Sequence, residues 1–75
     1  MTIKNLQSGI YKHYKGNFYQ VLDIVTHSET MEVLVLYKQL YDKELLWVRP
    51  LSMFLEKIEI DGEFIERFEF IKTND

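Results

Sequence analysis

Two histidines, His13 and His27, and three serines, Ser8, Ser28 and Ser52, are the groups in this chain that could share a proton in nucleophilic catalysis; there is no cysteine. A serine nucleophile needs an activating base, usually histidine, within hydrogen-bond reach. Ser28 follows His27 directly, but neighbours on a strand point to opposite faces and meet only across a turn. No glycine-rich elbow or phosphate loop surrounds either residue. Metal chemistry is no better served. His27 and Glu29, two apart, can share a face, yet no third ligand is evident. The expectation is a protein that binds rather than catalyses, with no metal and no cofactor.

Binding has better candidates. Tyr11, His13 and Lys15 would share a face of one strand, with Tyr19 in the same predicted hairpin. Flat rings beside a cation suit a base that stacks while its phosphate is neutralised. The competing reading puts Tyr11 and Tyr14 in the core or rim, and for strand tyrosines it weighs heavier. The run His27-Ser28-Glu29-Thr30 could present imidazole and hydroxyl donors from a loop, although Ser and Thr equally suit plain turns. Trp47 and Arg49 lie two apart on one strand face. A lone Trp in so small a domain reads as the core plug. Arg49 beside it cannot be buried unpaired, so it meets a carboxylate such as Glu56 or awaits an outside anion. The candidate ligand-binding set is Tyr11, His13, Lys15, His27, Ser28, Thr30, Trp47 and Arg49.

These residues need strands to hold them. An extended arm is expected over 1–8. A strand over Ile10–Tyr14 closes at Lys15-Gly16-Asn17, a hairpin signal. The next strand, Phe18–Thr26, would put Phe18, Leu22 and Ile24 on one face and Tyr19, Val21, Asp23 and Val25 on the other. Both faces are largely apolar, which predicts a central strand. After the polar break His27–Thr30, Met31–Lys38 alternates as a third strand. Leu45–Arg49 is a short fourth, stopped by Pro50. Leu51–Leu55 reads as one helical turn. Lys57–Ile60 alternates, Asp61-Gly62 is the strongest hairpin signal in the chain, and Arg67–Ile71 ends the pattern before a polar tail at 72–75. Five to six short antiparallel strands at this spacing predict a single all-β domain, a small SH3-like barrel.

Bulk properties agree with that picture. The chain has 75 residues, one domain's worth, of which 47% are hydrophobic and 15% aromatic. Disorder is therefore excluded. A domain this short buries only about 60% of its unfolded surface, so its core must be dense or shared with another copy. Without cysteines there is no disulfide framework and no thiolate zinc site. The start Met1-Thr2-Ile3-Lys4 lacks a signal-peptide run and no stretch approaches a membrane span, which makes the cytoplasm the default. The net charge of -3 disfavours duplex nucleic acid as a partner. Residues 1–38 nevertheless carry +1 against -4 for residues 39–75, so an anion should dock on the N-terminal half.

The runs Gly9-Ile10-Tyr11-Lys12-His13-Tyr14-Lys15-Gly16, His27-Ser28-Glu29-Thr30 and Leu46-Trp47-Val48-Arg49-Pro50, followed by Met53-Phe54 and Arg67-Phe68, stand in this order. Together they resemble the bacterial and phage family called domain of unknown function 1653, over about residues 8–71. That resemblance implies a small, β-rich, stand-alone domain and brings no activity with it. The residues matching its motif are Tyr11, His13, Tyr14, Lys15, Gly16, His27, Ser28, Glu29, Thr30, Trp47, Arg49 and Pro50, a polar set that hints at a ligand more than at packing. The leading expectation is a non-enzymatic pocket for a small anionic, nucleotide-like ligand, shared between subunits of a homo-oligomer. In a phage or bacterial setting such a protein could sequester a nucleotide immune signal, an anti-defence role. The alternatives are an SH3-like adaptor reading a peptide and a single-stranded nucleic-acid module.

Overall fold

A computed structural model of the chain describes residues 6–73. Its elements are β1 (Gly9–His13), β2 (Phe18–Thr26), β3 (Val33–Gln39), β4 (Leu46–Pro50), α1 (Leu51–Phe54), β5 (Lys57–Ile60), β6 (Glu63–Glu66) and β7 (Phe68–Lys72). The all-β expectation holds, with seven strands in place of five to six. Five form one antiparallel sheet in the order β4-β3-β2-β1-β7, and β5-β6 form a separate hairpin. The sheet does not close into a barrel: β4 and β7 remain its two edges. The expected central strand, β2, is central. None of the described residues forms a helix long and apolar enough to cross a membrane.

Local chemistry accounts for the turns. Asp61 and Gly62 both take positive φ, 51° and 82°, as a two-residue hairpin with primed-turn geometry requires, and this splits off β6 as a strand the alternation did not separate. Met31 falls outside the third strand, contrary to expectation. The His27 carbonyl accepts its N–H at 2.8 Å and its φ is 65°, so it belongs to the turn. Gly9, at φ 145°, lets β7 approach closely: a Cβ there would stand 2.4 Å from the Lys72 carbonyl oxygen. Consequently Lys72 pairs with Ile10 inside the sheet instead of beginning a free tail. Leu6 packs on the core rather than trailing in an arm. The remainder of the arm, 1–5, and of the tail, 74–75, lies outside the described residues.

One irregularity sets the faces of β2. Val21 pairs with Tyr37 and Asp23 with Leu36, leaving Leu22 as the extra residue of a bulge. A one-residue insertion reverses the alternation, so Ile24 joins Tyr19 and Val21 on the inner face and not Phe18 and Leu22. The core on that face is Tyr11, Val21, Val35, Tyr37, Phe54 and Phe68. Its plug is Phe54, 1% exposed, delivered by the four-residue α1 immediately after Pro50. Phe54 stacks parallel on Phe68 with centroids 4.1 Å apart and meets Tyr11 and Tyr37 edge-on. Trp47, expected in that role, is 46% exposed on edge strand β4.

Burial this complete makes Phe54 the residue whose loss is felt most. Phe54→Ala should lower unfolding stability by about 3–5 kcal/mol, and Trp47→Ala by clearly less, as measured by urea denaturation. A larger loss at Trp47 than at Phe54 would contradict this packing.

Candidate functional site

The register of the large sheet decides which side chains meet. Across it, Tyr11 pairs with Tyr19, Tyr19 with Gln39, Tyr37 with Trp47, Val35 with Arg49 and His13 with Phe68. Directly paired residues share a face, so His13, Trp47 and Arg49 all stand on the inner face with the core. The helix α1 packs against β3 and β4. Beyond its cover the inner face stays open, and there Tyr19, Tyr41, Trp47, His13 and Arg49 gather.

Trp47 is a fixed platform. Its indole Nε1–H donates to Gln39 Oε1 at 2.7 Å, and Gln39, only 5% exposed, spends its amide N–H on the Tyr41 carbonyl oxygen at 3.3 Å. Buried polar atoms held in this way are costly to release, which fixes the half-exposed ring in place. The Tyr19 and Tyr41 hydroxyls hydrogen-bond at 2.7 Å. Burial first, then that bond to Tyr41, push the Tyr19 hydroxyl up to about 12, so it stays protonated.

Of the two alternatives for Arg49, the pairing with Glu56 is not made. Arg49 Nε donates to the Tyr37 hydroxyl at 3.3 Å, and its guanidinium lies over the Phe68 ring, 5.5 Å from the centroid. Glu56 does not pair with it: that carboxylate binds Arg67 at 3.1 Å, the one ion pair among the described residues. Among the described residues the terminal nitrogens of Arg49 therefore have no carboxylate, and its planar fork could take an anion's oxygens.

His13 stands next to it, packed edge-on against Phe68 at 4.9 Å between centroids. The Lys15 backbone N–H donates to His13 Nδ1 at 3.1 Å, which leaves the neutral ring's proton on Nε2 as a donor. Burial first, then the fields of Arg49, Arg67 and Lys15, hold this imidazole below its ordinary value. Lys15 itself is exposed in the β1–β2 turn, its ammonium 5.8 Å from the Tyr14 ring.

The other sequence candidates are placed elsewhere. Tyr11 is core, 5% exposed, with its hydroxyl bonded to the Gln7 carbonyl, so it offers no surface to a ligand. His27, Ser28 and Thr30 form the β2–β3 turn, at the opposite end of nine-residue β2 from His13, roughly 30 Å away at strand rise. There His27 Nδ1 accepts the Glu29 and Thr30 backbone N–H groups, and Thr30 Oγ1 accepts that of Glu32. These bonds build the turn. Ser28 is exposed at its tip. Within one chain the eight candidates thus divide into core, turn and an inner-face group of His13, Trp47 and Arg49, with Lys15 at its margin. No three His, Asp or Glu side chains converge as a metal site among the described residues.

Sequence reasoning passed over Gln39, Tyr37 and Arg67. A signal existed for Gln39: the core alternation Val33, Val35, Tyr37 runs on to it, a polar residue at a core position. A cleft of about 630 Å³ lies elsewhere, between the β5–β6 hairpin and β1–β7, and of the eight candidates only His13 lines it. Lys12 and Lys57 there face Glu66 and Glu69, so the cleft offers an anion no net attraction. Among the described residues, Arg49 is the inner-face arginine without an ion pair.

The native state resists protonating His13 while the unfolded chain, at the ordinary value near 6.5, does not. Stability from this group is thus full above that value and is lost as pH falls through the lower native value. An NMR titration of the imidazole should find His13 titrating below the ordinary histidine value, and Arg49→Ala should move it upward. An unchanged His13 titration in that variant would separate the two residues.

No curated protein matches the chain. A crystal structure of a DUF1653 protein from Bordetella bronchiseptica is similar over 99% of this chain and 97% of that one, with TM-score 0.87 and 28% sequence identity. The family described as protein of unknown function (DUF1653) matches residues 9–70, from the first residue of β1 to within β7, and the chain belongs to that family.

Proposed function

We propose that this domain is a non-enzymatic binding protein for a small anionic, nucleotide-like ligand, held on the open inner face by Trp47, Arg49 and His13. The observation that carries this reading is Arg49: a cation on the inner face, with no carboxylate partner among the described residues, two positions from a half-exposed indole held by Gln39. Trp47 and Arg49, two residues apart on a strand, are separated by about 7 Å. That spacing suits a ring stacking on one and a phosphate meeting the other's fork. His13 Nε2–H adds a neutral donor. None of the described serines hydrogen-bonds to either imidazole, which favours retention of the ligand over its conversion. Sequestering a nucleotide signal, in the cytoplasm of a bacterium or a phage-infected cell, is the role such a protein fills. The alternative, an SH3-like adaptor reading a peptide across the aromatic face, would use the same surface without needing the Arg49 fork.

A second copy of the chain belongs to the same proposal. Trp47 and Arg49 stand on an edge strand, β4, whose Leu46 and Val48 are exposed on the opposite, outer face, with Leu22 and Phe18 on that same face of β2, so a copy pairing along this edge would border both faces. Apolar side chains on the solvent face of an antiparallel sheet favour a partner there. Sedimentation velocity should detect a dimer or larger oligomer at micromolar concentration; a monomer throughout would confine the site to one chain.

Arg49→Ala should reduce affinity about 10- to 100-fold, the range of one charge-assisted contact. It should cost little stability, roughly 1 kcal/mol from the lost contact with Phe68. The check is a thermal-shift screen of linear and cyclic mono- and dinucleotides, followed by native mass spectrometry of both proteins. A large fall in melting temperature with affinity intact would make Arg49 scaffold and remove the proposal's main contact.

A further inference from the structure

Arg67 is the residue beside Phe68 whose hydrogen bonding is unfinished. It directly precedes Phe68, the ring beneath Arg49, and its backbone is fixed on both sides. Its carbonyl accepts the Tyr14 N–H at 2.9 Å, and its own N–H donates to the Glu56 carbonyl at 3.1 Å. The side chain is 22% exposed. Nη2 reaches Glu56 Oε1 at 3.1 Å, while Nε is buried with no acceptor. Those two nitrogens form one edge of the guanidinium, with N–H bonds nearly parallel and spaced for two oxygens of a single carboxylate or phosphate. Glu56 supplies one. A buried N–H without an acceptor is a standing cost that a second oxygen would relieve.

We propose that Arg67 is a second arm of the anion site and that Glu56 occupies it in the free protein, to be displaced when a phosphate bridges Nε and Nη2. This rests on the reading of Arg49 and His13 as an anion site. Three observations support it. Glu56 is 49% exposed and held by one contact, so it is the partner able to leave. Arg67 directly precedes Phe68, whose ring lies 5.5 Å beneath the Arg49 guanidinium and meets His13 edge-on. A carboxylate is also the natural placeholder for a phosphate: it neutralises the arginine without filling both teeth of its fork. The ligand class that follows is a phosphate carrying at least two free oxygens, since an anion reaching only Nη2 would merely replace Glu56.

The test uses adenosine monophosphate and inorganic phosphate as probes, with the arginine Nε–H signals followed by NMR in the wild type, Glu56→Gln, Arg67→Lys and Arg49→Ala. In the wild type the Arg67 Nε–H signal should shift as adenosine monophosphate binds. Glu56→Gln should bind it about tenfold more tightly and Arg67→Lys about tenfold more weakly, each change equal to one charge-assisted contact. Phosphate should reproduce the arginine shift without perturbing Trp47, which locates the phosphate apart from the ring. If Arg49→Ala weakens binding while Glu56→Gln and Arg67→Lys bind as the wild type does, the displacement idea is overturned and the Arg49 site stands. A Glu56→Gln protein that melts earlier with no gain in affinity overturns it too, by making Glu56 a structural partner. No response from any variant to either probe at millimolar concentration overturns both readings.

Discussion

A four-residue helix has to cover one face of a five-stranded sheet, and it brings one aromatic ring to do so. Phe54 stacks on Phe68, and around that pair Tyr11, Tyr19, Tyr37 and His13 meet edge to face. Edge-to-face rings satisfy one another's charge distribution and fill space densely, so few residues make a dry core in a chain too short for a thick one. The same economy has a consequence for function. What α1 does not reach is left open, and the open part of the inner face is where Trp47 and Arg49 stand.

Openness without order would give a poor site. Here polar groups supply the order. Gln39 is buried and spends both ends of its amide, one on the Trp47 indole and one on the Tyr41 backbone. Tyr37 sends its ring into the core and its hydroxyl to Arg49. Phe68 serves the core through Phe54 and carries Arg49 above it. Each residue of the site is thereby tied to a residue that cannot move without disturbing the core. Preorganisation of this kind lowers the ordering entropy that binding would otherwise incur.

Electrostatics separates the site from the rest of an acidic protein. The chain carries -3 overall, yet the one ion pair among its described residues uses Arg67 and leaves Arg49 without a carboxylate. His13 stays neutral more readily than an exposed imidazole because burial and the neighbouring arginines oppose its charge. A neutral donor beside a fixed cation retains its hydrogen-bonding character across physiological pH. The acidic residues of the β5–β6 hairpin, Glu59, Asp61, Glu63 and Glu66, belong to a separate small sheet.

The amino-acid sequence by itself determined most of the strands, because alternation, turn chemistry and proline act over a few residues. Phe18–Thr26 as the central strand, the turn at Asp61-Gly62, the stop at Pro50 and the helical turn after it are all local consequences of residue type. Family membership was legible for the same reason, in short runs such as Leu46–Pro50. The location of the plug and the composition of the site were decided only by the tertiary structure. Trp47 and Phe54 are both large, apolar and seven residues apart, and only the docking of α1 onto β3 and β4 chooses Phe54. A single extra residue at Leu22 transfers Ile24 to the other face, and no composition reveals a bulge. His27, Ser28 and Thr30 carry the same chemical groups as a binding loop, but their partners are backbone N–H groups of their own turn. Arg49 finds a tyrosine hydroxyl and a ring where a carboxylate was equally plausible, because strand pairing, which couples residues far apart in the chain, sets what lies across from it.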